Sequence, residues 1–238
     1  MDVLDQNMRM IARFRKGESL KYISHLDVQR TLQRALRRAC IPVAYSNGFN
    51  PHIQLSFATA LGTGIISEAE WFDTELSSQI SPTDFLQKLQ KTLPEDLMVL
   101  EAFYAPIDFG TLSSHTRSAE YSVSVEWDME IDFDIFQEKL ERMLSDKIIV
   151  QKRTKGGIRP VDIRPQILNV SVKEIIGNHT DLNILGRLQT DGGLRVTHFL
   201  EALSEFIESK YQAEIIRNIV YFESDGLLPQ IPDFNLEE

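Results

Sequence analysis

Residues 24–40 carry apolar side chains at Val28, Leu32, Ala35, Leu36 and Ala39, one stripe of an amphipathic helix. They follow Met8–Lys16, where Met10, Ala12 and Phe14 alternate as in a half-buried strand. A one-sided helix next to a one-sided strand cannot bury its stripe alone, so it must lie on a sheet. The rest of the first half keeps the same rhythm. Pro42–Ser46 and Ile53–Ala58 read as short extended pieces, and Glu70–Leu76 and Leu97–Tyr104 as strands. Pro82–Leu93 reads as a helix with Phe85, Leu86 and Leu89 inward. The helix over 24–40 starts at Ser24 with Asp27 three residues on, a capping-box-like pair, and ends before Ile41-Pro42.

The second half repeats the alternation. Glu120–Trp127, Ile148–Arg153, Val161–Arg164, Leu168–Ile176, Leu182–Gln189 and Ile215–Glu223 read as extended, with helices at Phe133–Leu144 and Val196–Lys210. Helices alternating with hairpins predict an α+β protein built as two tandem ferredoxin-like (split βαβ) halves with antiparallel sheets. The domains expected are 8–105 and 118–225, joined by a Pro-, Gly- and Ser-containing linker at 106–117. The second domain carries an added hairpin.

At 238 residues with 42% apolar content, the chain can fill one or two cores. Twelve glycines and nine prolines exclude collagen-like and low-complexity classes. Cys40 is the one cysteine, which excludes an internal disulfide, a cysteine zinc site and a cluster held by three cysteines of this chain. The five histidines show no i, i+4 pairing and no companion cysteines, so no metal is expected, and no cofactor is expected either. Gly62-Thr63-Gly64 lacks the spacing and the Lys-Ser/Thr of a phosphate loop. No apolar run approaches membrane-helix length and the first residues carry acid, so the expectation is a cytoplasmic protein that does not enter a membrane.

The formal net charge of −10 conceals two basic blocks. Residues 9–50 hold Arg9, Arg13, Arg15, Lys16, Lys21, Arg30, Arg34, Arg37 and Arg38 against Glu18 and Asp27; residues 147–164 hold six Lys/Arg against Asp162. Arg30, Arg34, Arg37 and Arg38 fall opposite the apolar stripe of their helix. Guanidinium forks suit phosphate contacts and stacking on bases. An ordinary solvated helix face explains the row as well. Tyr45, Phe49, Asn50 and His52 sit in a turn-rich loop that could stack on and hydrogen-bond an unpaired base, or simply turn the chain around a packed aromatic. Lys152, Arg153, Lys155 and Arg159 form a glycine-tipped basic hairpin, followed by Arg164. His25, two residues from Asp27, could pair with His52 as acid and base, although a histidine at a helix start is more often structural.

The stretch Lys21–Ala60, with Ser67-Glu68-Ala69-Glu70-Trp71-Phe72-Asp73, resembles the radical-SAM-linked family of uncharacterised bacterial proteins, a domain of unknown function. The resemblance rests on Ser24-His25-Leu26-Asp27, Arg34-Ala35-Leu36-Arg37-Arg38-Ala39, Ala44-Tyr45-Ser46, Gly48-Phe49-Asn50-Pro51 and Ser56-Phe57-Ala58. It continues through Val161-Asp162-Ile163-Arg164-Pro165 and Gly193–Arg195. It covers most of the chain from Met8 onward, and residues 1–7 read as an extension or an alternative start. The family implies a companion of a cobalamin-binding radical-SAM protein and carries no catalytic set to transfer. Where this chain has His52 the family more often has Arg or Lys, which favours positive charge or hydrogen bonding there over acid–base work. The function expected is a noncatalytic RNA-binding adaptor for a radical-SAM enzyme. The alternatives are an RNA-processing or RNA-modifying enzyme using His25 and Asp27, and a pure protein-interaction module.

Overall fold

A computed structural model of the chain describes residues 8–106, 109–154, 157–188, 193–223 and 228–230. The chain divides into two compact units, Met1–Thr116 and Arg117–Glu238. Both are mixed α+β, and every strand pair whose register is described within a unit is antiparallel.

In the first unit, β1 (Met8–Lys16) pairs with both β3 (Ile65–Leu76) and β4 (Leu97–Tyr104), and the short β2 (Leu55–Phe57) adds to the far side of β3. The strand order is therefore β4-β1-β3-β2. Helix α1 (His25–Arg38) buries Val28, Leu32, Ala35 and Leu36, and α2 (Pro82–Gln90) buries Phe85 and Leu89. These side chains join Met10, Ala12 and Phe14 of β1, Phe72 and Leu76 of β3, and Leu97 and Val99 of β4 in one core. Each large side chain so buried contributes about 1.5–3 kcal/mol before entropy is counted. The strand expected over 70–76 begins earlier, at Ile65, directly after Gly64.

The C-terminus of α1 uses a device that composition does not announce. Cys40 takes φ of +51°, its N–H donates to the Arg37 carbonyl, and the Ile41 N–H donates back to Leu36. That is the Schellman arrangement, usually built on glycine because a Cβ is strained in this conformation. The helix therefore stops at Arg38, two residues short of the expected end.

The stretch 106–117, expected as a linker, includes a helical turn, α3 (Leu112–His115), whose Leu112 is buried. Arg9 of β1 donates to the carbonyls of Phe109 and Gly110. Asp73 of β3 accepts the backbone N–H of Leu112. Burial pushes the Asp73 carboxyl from its usual 3.8 up to about 6; nearby Glu75 adds to the shift, while Arg9 and the Leu112 N–H oppose it.

The second unit has the order β10-β5-β9-β8, where β5 is Thr116–Trp127, β8 Ile167–Ile176, β9 His179–Arg187 and β10 Tyr211–Phe222. Substituting β5, β8, β9 and β10 for β1, β2, β3 and β4 reproduces the order of the first unit. Helices α4 (Phe133–Leu144) and α5 (Val196–Ile207) pack together and bury Phe136, Leu140, Met143, Phe199, Leu200 and Leu203. Trp127 packs against Phe136 and donates its indole N–H to Thr180 Oγ1 at 3.1 Å. The added hairpin, β6 (Ile149–Thr154) with β7 (Gly157–Asp162), forms its own two-stranded sheet. Among the described residues no helix is long and apolar enough to cross a membrane.

Cys40→Gly should raise unfolding stability by about 0.5–1 kcal/mol, read from urea midpoints, because the exposed thiol packs little and the Cβ strain disappears. Asp73 supplies a pH test. A raised folded-state pKa stabilises the fold below pH 3.8, and this contribution is lost as pH rises through about 6. Asp73→Asn should therefore match the parent near pH 3 and exceed it near pH 8 by on the order of 2–3 kcal/mol. Equal stability at both pH values would show that Asp73 carries no such cost.

Candidate nucleic-acid interface

Helix α1 presents Arg30, Arg34, Arg37 and Arg38 to solvent because its other face is committed to the core. Its start is fixed by Ser24, whose Oγ accepts the Asp27 N–H at 3.2 Å and donates to Asp27 Oδ2 at 2.7 Å. Arg30 donates to the other carboxylate oxygen of Asp27 at 3.0 Å. The Ser24 hydroxyl, and after it Arg30, hold the Asp27 carboxyl below its usual range. Both oxygens of this candidate catalytic acid are thus engaged at the helix cap.

The four arginines have different situations. Arg30 is paired with Asp27, and Arg38 donates to the Thr92 carbonyl at 2.5 Å. The Arg37 guanidinium lies over the Tyr45 ring, 5.9 Å from its centroid. Among the described residues Arg34 and Arg37 have no ion-pair partner. The remainder of the first basic block is spoken for. Arg13 pairs with Glu101 at 2.6 Å and Arg15 with Glu68 at 3.0 Å. Lys21 pairs with Glu18. Lys16 is 2% exposed and donates to the carbonyls of Lys21 and Ile65 at 3.0 and 3.4 Å. The charge surplus of residues 9–50 therefore reaches solvent mainly through α1.

Tyr45 stands at the foot of a hairpin-like excursion closed by a Tyr45–Ile53 bridge. The Ser46 N–H donates to the His52 carbonyl at 2.8 Å, the His52 N–H donates to Ser46 Oγ at 3.1 Å, and Ser46 Oγ lies 2.7 Å from His52 Nδ1. Gly48 takes φ of +128°, a region that Cβ-bearing residues rarely adopt. Phe49, at the tip, has 105% relative exposure; Asn50 is exposed beside it.

His25 has a different setting. It packs edge-on against Phe57, ring centroids 4.7 Å apart, and lines a small cavity with Phe14, Lys16, Val28, Leu61 and Glu70. Glu70, 3% exposed, accepts the Ser67 hydroxyl at 2.7 Å. This ionisable cluster escaped sequence reasoning because Lys16 reads as surface base and Glu70 as a strand residue. With about 10 Å3 open to the centre of a water, the cavity has room for about one such molecule. Among the described residues no group of three or more His, Cys, Asp or Glu could hold a metal ion.

In the second unit, Lys152 and Arg159 are directly opposite on the β6–β7 hairpin, and Arg153 faces Ile158. Like charges in that position repel, and a bound anion would relieve the repulsion. Arg153, Ile158 and Arg159 are exposed and Lys152 is half-buried, whereas Lys155 lies outside the described residues. Arg164 has a structural task. Its guanidinium donates to the Leu144 carbonyl at the end of α4 and to the Ile167 carbonyl, the latter at 2.9 Å.

Residues 9–196 match the family model described as "Uncharacterized protein conserved in bacteria (DUF2344)". No curated protein matches the chain in sequence. Among solved structures, a chain in the crystal structure of a Cbf5–Nop10–Gar1 complex is similar at TM-score 0.53 and 9% identity, over 92% of this chain and 51% of that one. A chain in the archaeal box H/ACA sRNP Nop10–Cbf5 complex is similar at TM-score 0.46 and 9% identity, over 90% and 48%. This chain thus spans about half the length of either, and at 9% identity the first likeness is one of fold alone.

Arg164→Ala should destabilise the protein by about 1–3 kcal/mol by leaving two carbonyls short of a donor, whereas Arg153→Ala should stay within about 0.5 kcal/mol. Urea unfolding of both variants separates structural base from surface base.

Proposed function

The chain belongs to this family of uncharacterised bacterial proteins, and from that premise we propose that it is a noncatalytic, cytoplasmic adaptor that binds RNA through the outer face of α1. Arg34 and Arg37 carry the reading. They stand exposed on a helix seated on the core, and neither forms an ion pair with a carboxylate of the described residues, although Asp27 lies within the field of Arg34. Seated guanidiniums make charge-assisted, bidentate phosphate contacts at low ordering cost. Tyr45 with its cation–π partner Arg37 and the exposed Phe49 add stacking surface beside that row. Lys152, Arg153 and Arg159 of the hairpin supply further phosphate contacts in the second unit, and Arg164 is left out because its guanidinium is held on the Leu144 and Ile167 carbonyls.

The two units are read as ferredoxin-like (split βαβ) modules over 8–105 and 118–225, joined through 106–117. The strand orders β4-β1-β3-β2 and β10-β5-β9-β8 support this. The partner served is a radical-SAM protein, which the sequence resemblance implies and the single cysteine accommodates by leaving cluster ligation elsewhere. An RNA-processing enzyme built on His25 and Asp27 has less support, since Asp27 is engaged by Ser24 and Arg30 and the space beside His25 admits about one water.

Filter binding across a salt series tests the reading. The parent should bind RNA with strong salt sensitivity, and replacing Arg34 and Arg37 together by alanine should weaken binding about tenfold or more and lower the salt slope by about 2. Arg30→Ala should lose less, its charge being shared with Asp27. Salt-insensitive or undetectable RNA binding would sink the adaptor reading and leave the protein-interaction module.

A further inference from the structure

The most exposed aromatic of the described residues stands on a loop tied across its base. Phe49 is fully exposed, yet the segment carrying it is closed by the Tyr45–Ile53 bridge and by the three Ser46–His52 contacts. A large ring left in water by a loop that has lost its freedom to fold the ring inward is preorganised for a partner.

The surroundings say which partner. Between Ser46 and His52, Phe49 is the one large apolar side chain, flanked by the exposed amides of Asn47 and Asn50. A membrane-inserting tip needs a contiguous apolar patch, which this loop lacks, and an aromatic anchor of a protein interface is ringed by contacts that exclude water, which two hydrated amides beside the ring do not favour. A single ring among amides matches an unpaired nucleobase, which offers one π-face to stack on and edge groups for hydrogen bonding. The foot of the same loop touches the arginine row through Tyr45 and Arg37. Phe49 lies four residues beyond Tyr45, so their Cα atoms are within about 14 Å, and one strand can meet both.

We propose that Phe49 stacks on an unpaired base while Arg34 and Arg37 hold the adjacent phosphates, so that the site selects single-stranded RNA over duplex. The proposal rests on the RNA-binding reading above and narrows it to a class of RNA. In a duplex the bases are already stacked on each other, and the ring would have no face to reach.

The test uses the full chain, fluorescence anisotropy, and a labelled single-stranded RNA of about 20 nucleotides, alone or annealed to its complement. The parent should bind the single strand at least about tenfold more tightly, the lower part of the range expected for a stacked base. Phe49→Ala should lose about tenfold on the single strand and little on the duplex, and Phe49→Trp should retain the preference. Because the ring packs against nothing among the described residues, the variants should keep the parent circular dichroism spectrum and melting curve. Binding that still depends on Arg34 and Arg37 but is indifferent to Phe49→Ala would overturn this inference while leaving RNA binding intact. Equal affinity for the two forms would do the same. Failure of the parent to bind either form would overturn both. Unchanged RNA affinity together with lost capture of a protein partner by Phe49→Ala would reassign the tip to protein docking.

Discussion

A helix with a single apolar stripe can satisfy that stripe only by lying on the sheet, and most of the first unit follows from this for α1. Val28, Leu32, Ala35 and Leu36 meet Met10, Ala12, Phe14 and Phe72, and the helix can no longer rotate without exposing them. The arginines on the remaining face are outward for the same reason that the leucines are inward. Ser24 and Asp27 then define where the helix begins and Cys40 where it ends, so the guanidinium row has a fixed length and a fixed direction. The outward row of guanidiniums is therefore a by-product of core packing, and its rigidity is inherited from the core.

The antiparallel sheet decides which of the basic residues remain available. Arg13 and Glu101 are direct cross-strand partners in the β1–β4 register, and the resulting ion pair removes a charge that would otherwise add to the surface. Lys16, at the end of β1 where the register shifts, is drawn inside and satisfied by backbone carbonyls. Arg9 is spent on carbonyls of the segment that follows β4. A basic stretch that looks uniform along the chain is thereby sorted into sheet-neutralised and helix-exposed charge, and only the second kind can meet a phosphate.

Much of the architecture was legible in the chain. Alternation at Met8–Lys16 and Leu97–Tyr104 and the stripes of α1 and α4 are local properties, and the strands and helices stand where those patterns put them. The misses have definite causes. β10 begins at Tyr211 rather than Ile215 because its first four residues are half-buried or exposed and show no apolar alternation. The end of α1 was misread because cysteine, not glycine, holds the left-handed position. The stretch 106–117, expected as the linker, holds both a capped helical turn with a buried Leu112 and the division between the two compact units, after Thr116. At the site, the arginine row and the aromatic loop were visible as types and spacings. The Arg37–Tyr45 contact, the pinning of Phe49 by Ser46 and His52, and the occupation of Arg164 and Asp27 were not.

By itself the sequence determined the α+β rhythm, the inward and outward faces of each helix, and the pool of cations from which an anion-binding surface could be drawn, because periodicity and capping act over a few residues. Tertiary structure alone decided which cations are free. Glu101 lies far along the chain from Arg13, as Leu144 does from Arg164, and the Leu112 N–H from Asp73. Pairings of that kind depend on strand register and on which backbone groups burial leaves in need of a partner, and neither has a local signature.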